Sequence, residues 1–133
     1  MKKILFILCF IVASLGASAQ GTQRLRAVSY SYQLQDDNGN WLDWTDWETS
    51  NVPITVDPVA QQVTIFTPDL QKYNLYEFLG DNYDVDGLET VSWRFKDQDA
   101  DEGILRFVER PSGNLEIYID FANMRWVYRV IGD

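Results

Sequence analysis

The chain of 133 residues contains no histidine and only one cysteine, Cys9. Without histidine there can be no Ser-His-Asp triad and no Cys-His pair. The usual zinc sites, which draw on Cys and His, are excluded as well. Glycine-rich phosphate-binding patterns are missing, and beyond Lys2 and Lys3 only Lys72 and Lys96 offer an amine nucleophile. Basic residues are scarce: 11 Lys and Arg stand against 20 Asp and Glu. A phosphate backbone is held by cationic side chains that displace its counterions. The acidic excess therefore argues against nucleic acid, and against an anionic membrane surface, as partners. Carboxylate chemistry is what remains. Two Asp or Glu side chains about 5–9.5 Å apart across a cleft can hydrolyse a glycosidic bond.

The N-terminus reads as a secretory signal peptide. "MKK" is a basic n-region, "ILFILCFIVASLGA" an apolar run too short to span a bilayer, and "ASA" a small-residue cleavage signature. Met1–Ala19 is expected to leave as the signal peptide, cut before Gln20. Cys9 sits inside the apolar run and lacks the small residues before it that a lipoprotein processing site needs, so no lipid anchor is expected. Residues 20–133 are expected to form a single all-β domain, which is within the size one core can support. Loss of Lys2 and Lys3 takes the net charge from −9 to −11. A chain so charged stays soluble and is expected to be a monomer, periplasmic or extracellular, with no membrane contact after cleavage. No disulfide can staple it, so apolar burial must suffice, and an aromatic content of 14% supplies the means.

The dominant period beyond the leader is two, interrupted by turn residues every 8–12 positions, and no helix is expected. "TVSWRFK" (90–96) puts Val91, Trp93 and Phe95 on one face. "LEIYIDF" (115–121) does the same with Leu115, Ile117, Ile119 and Phe121, and "WVYRVI" (126–131) with Trp126, Tyr128 and Val130. "PSG" (111–113) suits a three-residue hairpin loop with Gly113 at positive φ. It pairs Arg110 with Asn114 and Phe107 with Ile117. "ANMR" (122–125) closes the next hairpin, with Phe121 opposite Trp126 and Ile119 opposite Tyr128. Arg106, Glu116, Asp120 and Arg129 fall on the outer face as an ordinary charge ladder. Further strands are expected near 25–35, 41–49, 52–57, 62–66 and 72–79. Eight to nine short antiparallel strands need closure or a second layer. The expected fold is a small up-and-down barrel or roll; the alternative is a two-sheet sandwich.

"WLDWTDWET" (41–49) carries three tryptophans in seven positions. Read as a strand, the spacing of three alternates faces. A two-residue Asn38–Gly39 turn then pairs Tyr30 with Trp47, placing Trp41 and Trp47 in the core with Val28, Tyr30, Tyr32 and Leu34. A three-residue Asp37–Asn38–Gly39 loop instead pairs Tyr32 with Trp44. The first register buries more aromatic surface and is preferred. It leaves Trp44 and Leu42 on a polar face, more exposed than Trp41 and Trp47, as candidate ligand or partner contacts.

Two acidic loops raise the question of calcium. Asn82, Asp84 and Asp86 followed by Gly87 match the first half of a calcium loop, but its twelfth position is Trp93. Asp97, Asp99 and Asp101 recur at spacing two. The competing reading of both is a solvated acidic turn. No other cofactor is implied.

The leader ending in Ala-Gln, "DWTDWE", "PITVDPVAQQVTIFT" and "LEIYIDFANMRWVYRVI" together resemble small secreted β-sheet proteins of Bacteroidetes-type bacteria. The resemblance implies export and a compact β fold; it implies no activity and no site residue. Three functions follow as expectations. The preferred one is a non-enzymatic binding module for a small ligand or protein partner, using a barrel lumen or the Trp44 face. The second is a cell-envelope structural or interaction protein without a small ligand, and the third a carboxylate-dependent glycoside hydrolase.

Overall fold

The computed structural model describes residues 22–83, 87–112 and 114–132. Eight strands follow one another: β1 (Gln23–Leu34), β2 (Glu48–Asp57), β3 (Gln62–Ile65), β4 (Gln71–Tyr83), β5 (Glu89–Asp97), β6 (Glu102–Glu109), β7 (Leu115–Asp120) and β8 (Met124–Gly132). Each pairs antiparallel with the next, and β1 also pairs with β8, so the sheet closes into an up-and-down barrel. Among the described residues there is no helix. The barrel is realised and the sandwich is not.

Closure removes the free sheet edges that an eight-stranded meander would otherwise expose, and eight strands leave an interior that side chains can fill. Leu25, Ala27, Ile54, Val56, Val63, Ile65, Leu75, Val91, Phe95, Leu105, Phe107, Leu115, Ile117, Ile119 and Val130 fill it, all nearly or fully buried. The inward faces expected for β5, β6 and β7 hold. Phe107 stands opposite Ile117, and the Arg110 N–H donates to the Asn114 carbonyl at 2.8 Å. Gly113 lies outside the described residues. The β7–β8 register differs from expectation by two residues: Ile117 opposes Tyr128 and Ile119 opposes Trp126. The Phe121 N–H donates to the Met124 carbonyl, so the chain reverses over Ala122–Asn123 alone, a tighter turn than the four-residue loop expected. A two-residue slip preserves side-chain parity, so the inward face survives it.

β1 departs from simple alternation. Its pairing with β8 runs Ala27 to Val130 and then Ser29 to Arg129, leaving Val28 as one extra residue. Such a bulge reverses the side-chain parity downstream. Leu25 and Ala27 point inward before it, and Tyr30 and Tyr32 point inward after it. Ser29, Ser31 and Gln33 are thereby turned outward.

Two hairpin loops share one skeleton. In the first, the Asp36 N–H donates to the Asn40 carbonyl and the Gly39 N–H to the Asp36 carbonyl, while Asp36 Oδ1 accepts the Asn38 and Asn40 N–H groups at 2.9 Å. In the second, Asp97, Ala100 and Asp101 repeat these bonds, with Asp97 Oδ1 accepting the Asp99 and Asp101 N–H groups at 2.9 Å. The fourth residue of each loop is left-handed, with φ 81° at Gly39 and 65° at Ala100. Glycine adopts that conformation without strain and alanine does not. Gly39→Ala should therefore lower the denaturation free energy by about 1 kcal/mol, and Ala100→Gly should raise it by up to about 1 kcal/mol. Urea midpoints of the two variants check both signs.

Candidate functional site

One end of the barrel carries the β1–β2, β3–β4, β5–β6 and β7–β8 connections, and it is not filled to the rim. A cavity of about 350 Å3 opens there between Tyr30 and Tyr32 of β1, Ser50 and Val52 of β2, Thr67 and Pro68 of the β3–β4 loop, Gln71 of β4, and Trp126 and Tyr128 of β8. The aromatic wall follows from register, because Tyr30 opposes Tyr128 and Tyr32 opposes Trp126. The Tyr32 and Trp126 rings meet at 4.9 Å between centroids, tilted by 42°, and Tyr30 lies 6.2 Å from Trp126 and 6.4 Å from Tyr128. These are usual separations for attractive, non-sandwiched aromatic pairs. Trp126, expected to be largely buried, is only partly buried for this reason: it packs on the core while forming the wall of an opening.

The floor of the cavity is polar and neutral. The Tyr73 hydroxyl donates to Gln71 Oε1 at 2.6 Å, and Gln71 Nε2 donates to Thr67 Oγ1 at 3.0 Å and, at 3.4 Å, to the Tyr128 hydroxyl. Burial pushes the Tyr73 phenol well above its ordinary range, helped by Tyr128 and Asp97. Burial raises Tyr128 as well, with the Gln71 bond opposing. Both phenols stay protonated at neutral pH. At the rim, the Tyr30 hydroxyl donates to Glu48 Oε2 at 2.5 Å, which raises the Tyr30 phenol.

The tryptophan segment lies elsewhere. Residues 42–47 form no strand, although Trp41 makes a single bridge to Gln35. That bridge belongs to the three-residue Asp37–Asn38–Gly39 loop, so the preferred Asn38–Gly39 register is overturned. The Asp36 carboxylate explains the outcome: it caps two N–H groups of the longer loop, and those bonds lower its pKa. Freed from a ladder of period two, a spacing of three returns all three indoles to one side, outside the barrel. The Arg125 guanidinium stacks over Trp41 and the Arg129 guanidinium over Trp47, each 3.9 Å from the ring centroid, while Trp44 meets Tyr118 edge-on at 6.0 Å. Trp47 is thus not in the core; it is 39% exposed against 38% for Trp44. Trp44 is more exposed than Trp41, as expected, but not more than Trp47. Leu42 is exposed and anchored by its backbone, donating to the Leu34 carbonyl and accepting from Gln33 Nε2.

Thr45 holds the segment to β1. Its N–H donates to the Tyr32 carbonyl at 2.9 Å, its Oγ1 accepts the Tyr32 N–H at 3.0 Å, and its carbonyl accepts the Ser31 hydroxyl at 2.7 Å. Beneath the cover lie Ser31, Val127 and Glu116, all buried. Glu116 is 1% exposed, so it is no ordinary member of a solvated ladder. Its Oε1 accepts Arg110 Nε at 2.9 Å and the Tyr118 hydroxyl at 3.2 Å, and its Oε2 accepts Arg129 Nε at 3.2 Å.

The acidic loops divide. Asp97, Asp99 and Asp101 do converge, with ligand-type oxygens within 4.8 Å of one another. The hairpin skeleton accounts for that convergence, because one Asp97 oxygen is occupied by two backbone N–H groups. Asn82 is an exposed residue of β4, while Asp84 and Asp86 lie outside the described residues. The carboxylate pair that sequence reasoning missed is Glu89 and Glu109, cross-strand partners on β5 and β6, both buried. Their positions continue the inward faces of Val91 and Phe107, a signal present in the period-two pattern. Burial raises the Glu89 carboxyl, and the nearby Asp81 carboxylate adds to the effect.

Compared with protein-family models, curated proteins and solved structures, the chain matches none.

A carboxyl whose pKa is raised by folding binds its proton more tightly folded than unfolded. Its contribution is therefore favourable at low pH and is lost as pH rises through the raised value. Glu89→Gln should raise the melting temperature at about pH 7 and not at about pH 4; thermal melts at the two pH values test this. Thr45→Val strands the Tyr32 N–H beneath the cover and should cost about 1–3 kcal/mol in chemical denaturation. Trp44→Ala should cost less than Thr45→Val, since Trp44 is already well exposed.

Proposed function

We propose that this chain is an exported, non-enzymatic binding module and that its ligand enters the aromatic mouth of the barrel. Cavities of this kind favour barrel mouths: apolar walls, a few convergent polar groups and a floor that is already ordered. One observation carries the reading. Tyr30, Tyr32, Trp126 and Tyr128 line a cavity of about 350 Å3 whose floor is fixed by Gln71. Rings held by cross-strand packing lose little freedom on contact, which keeps the entropic cost of binding low.

The chemistry of the wall selects the ligand. Flat π surfaces suit a planar ring or the apolar face of a sugar. The Gln71 amide and the Thr67 and Tyr128 hydroxyls offer dipoles rather than charges. The ligand that fits is small and uncharged, with one flat face and one hydrogen-bonding edge. At about 350 Å3 the cavity is at the lower end of the range for drug-sized ligands, about 300–1,000 Å3.

Nile red, a neutral planar dye, serves as the probe. It should bind with one-to-one stoichiometry and accept excitation energy from tryptophan. Ser50→Phe fills the opening without removing a core side chain and should abolish the binding while leaving the melting temperature within a few degrees. Dye binding that survives Ser50→Phe would contradict the proposal.

A further inference from the structure

A second cleft, outside the barrel and separate from the mouth, has the opposite electrostatic character. It measures about 290 Å3 and is walled by Trp44, Trp47 and Tyr118, with Arg110 and Arg129 at its side. We propose that this cleft binds a small monocarboxylate built on a single six-membered ring with a face that can stack, the carboxylate meeting the two guanidiniums and that face lying against the indoles.

Glu116 is the reason the two arginines form a site. It is 1% exposed and receives one Nε from each, Arg110 at 2.9 Å and Arg129 at 3.2 Å. One buried carboxylate between two guanidiniums leaves the group with one net positive charge. It also fixes both side chains through their Nε atoms, and Arg129 is further held by stacking on Trp47 at 3.9 Å. The terminal nitrogens are largely unspent. Arg110 Nη2 makes one long contact, 3.5 Å to the Tyr118 hydroxyl, and Arg129 donates no other hydrogen bond among the described residues. A guanidinium so held presents its remaining N–H pair as a preorganised fork for a carboxylate. The two arginine side chains retain 39% and 45% of their exposure, so the fork faces solvent rather than the core.

Structural roles alone would not require this surface to stay open. The segment that carries the tryptophans is already fixed by the backbone and side chain of Thr45. Trp44 and Trp47 nevertheless keep more than a third of their surface in solvent, next to unspent cationic donors. Trp, Tyr and Arg, the residue types gathered here, are the ones enriched among residues that dominate binding energy.

Charge decides between classes of anion. The whole chain carries −9, so a polyanion meets repulsion over much of its length. A single carboxylate bound at the cleft feels mainly the local arginines, because charges beyond about 8 Å are screened at physiological ionic strength. The volume admits one ring, not a chain of them. The ring itself has two sources, a uronic acid or an aromatic acid, which share the carboxylate and one face, C–H or π, that stacks on an indole.

Isothermal titration with D-glucuronate and with benzoate, each against purified protein, separates them, with D-glucose as the uncharged control. At least one acid should bind in the millimolar range and weaken with added salt, and D-glucose should not compete. Glucuronate alone binding assigns the sugar source; benzoate alone binding assigns the aromatic one. Arg129→Gln and Trp44→Ala should each weaken the acid about tenfold or more, whereas Ser50→Phe, at the mouth, should leave it unchanged. Circular dichroism melts establish that each variant is folded, and Trp44→Ala serves if Arg129→Gln is not. Absence of heat with both acids at low salt, or affinity unaltered in a folded variant, would overturn the assignment. Because Ser50→Phe reads the mouth and the other two variants read the cleft, failure of one site is distinguishable from failure of the other.

Discussion

The extra residue in β1 is the constraint on which the rest of the molecule depends. Strict alternation along β1 would keep Leu25 and Ala27 inside and send Tyr30 and Tyr32 to the surface. The insertion at Val28 reverses parity midway, so the first half of the strand fills the core and the second half builds the wall of an opening. The same step turns Ser31 outward, where its hydroxyl receives the tryptophan segment, and turns Gln33 outward to hold Leu42. Mouth and cover are two consequences of one bulge. Because β1 pairs with both β2 and β8, it is also the strand that closes the barrel, and its geometry fixes register on either side.

The outer cover follows from the energetics of burying a charge. A carboxylate with almost no exposure is costly unless it is paired and hydrogen-bonded. Glu116 meets that condition with two arginines and a tyrosine. The guanidiniums in turn need surfaces that tolerate their weakly hydrated faces, and indole rings supply them through cation–π contact. Trp47 on Arg129 and Trp41 on Arg125 are that pairing twice, with Trp44 against Tyr118 between them. Arg106 stacks over Tyr118 in the same way, 4.4 Å from its ring centroid. Aromatic and cationic side chains thus organise the outside of the barrel as aliphatic ones organise the inside.

The barrel was legible in the sequence because period-two burial is a local property. Val91, Trp93 and Phe95, or Leu115, Ile117 and Ile119, announce their face without reference to any partner, and the short turns leave few topologies open. The two-residue slip between β7 and β8 escaped because either register keeps that face. The tryptophan segment was misread for a physical reason. Period two holds only where a ladder enforces it, and residues 42–47 have no regular ladder. The Asp36 cap that selects the longer loop was visible as "DDNGN", yet its two hydrogen bonds weigh against a larger aromatic burial that never forms. Likewise the Asp97 cluster carried the spacing of ligands but the hydrogen bonds of a turn. The mouth could not be read at all from the chain, since it joins Tyr30, Gln71 and Trp126, far apart in sequence and brought together only by closure.

The central claim is that the inward aromatic mouth, and not the outer tryptophan cover, receives a neutral flat ligand. The five tryptophans give five indole N–H signals in a nitrogen-15 correlation spectrum. Titration with a neutral planar ligand should shift the Trp126 indole progressively and leave those of Trp41, Trp44 and Trp47 in place. Shifts at Trp44 and Trp47 with Trp126 unmoved would contradict the account.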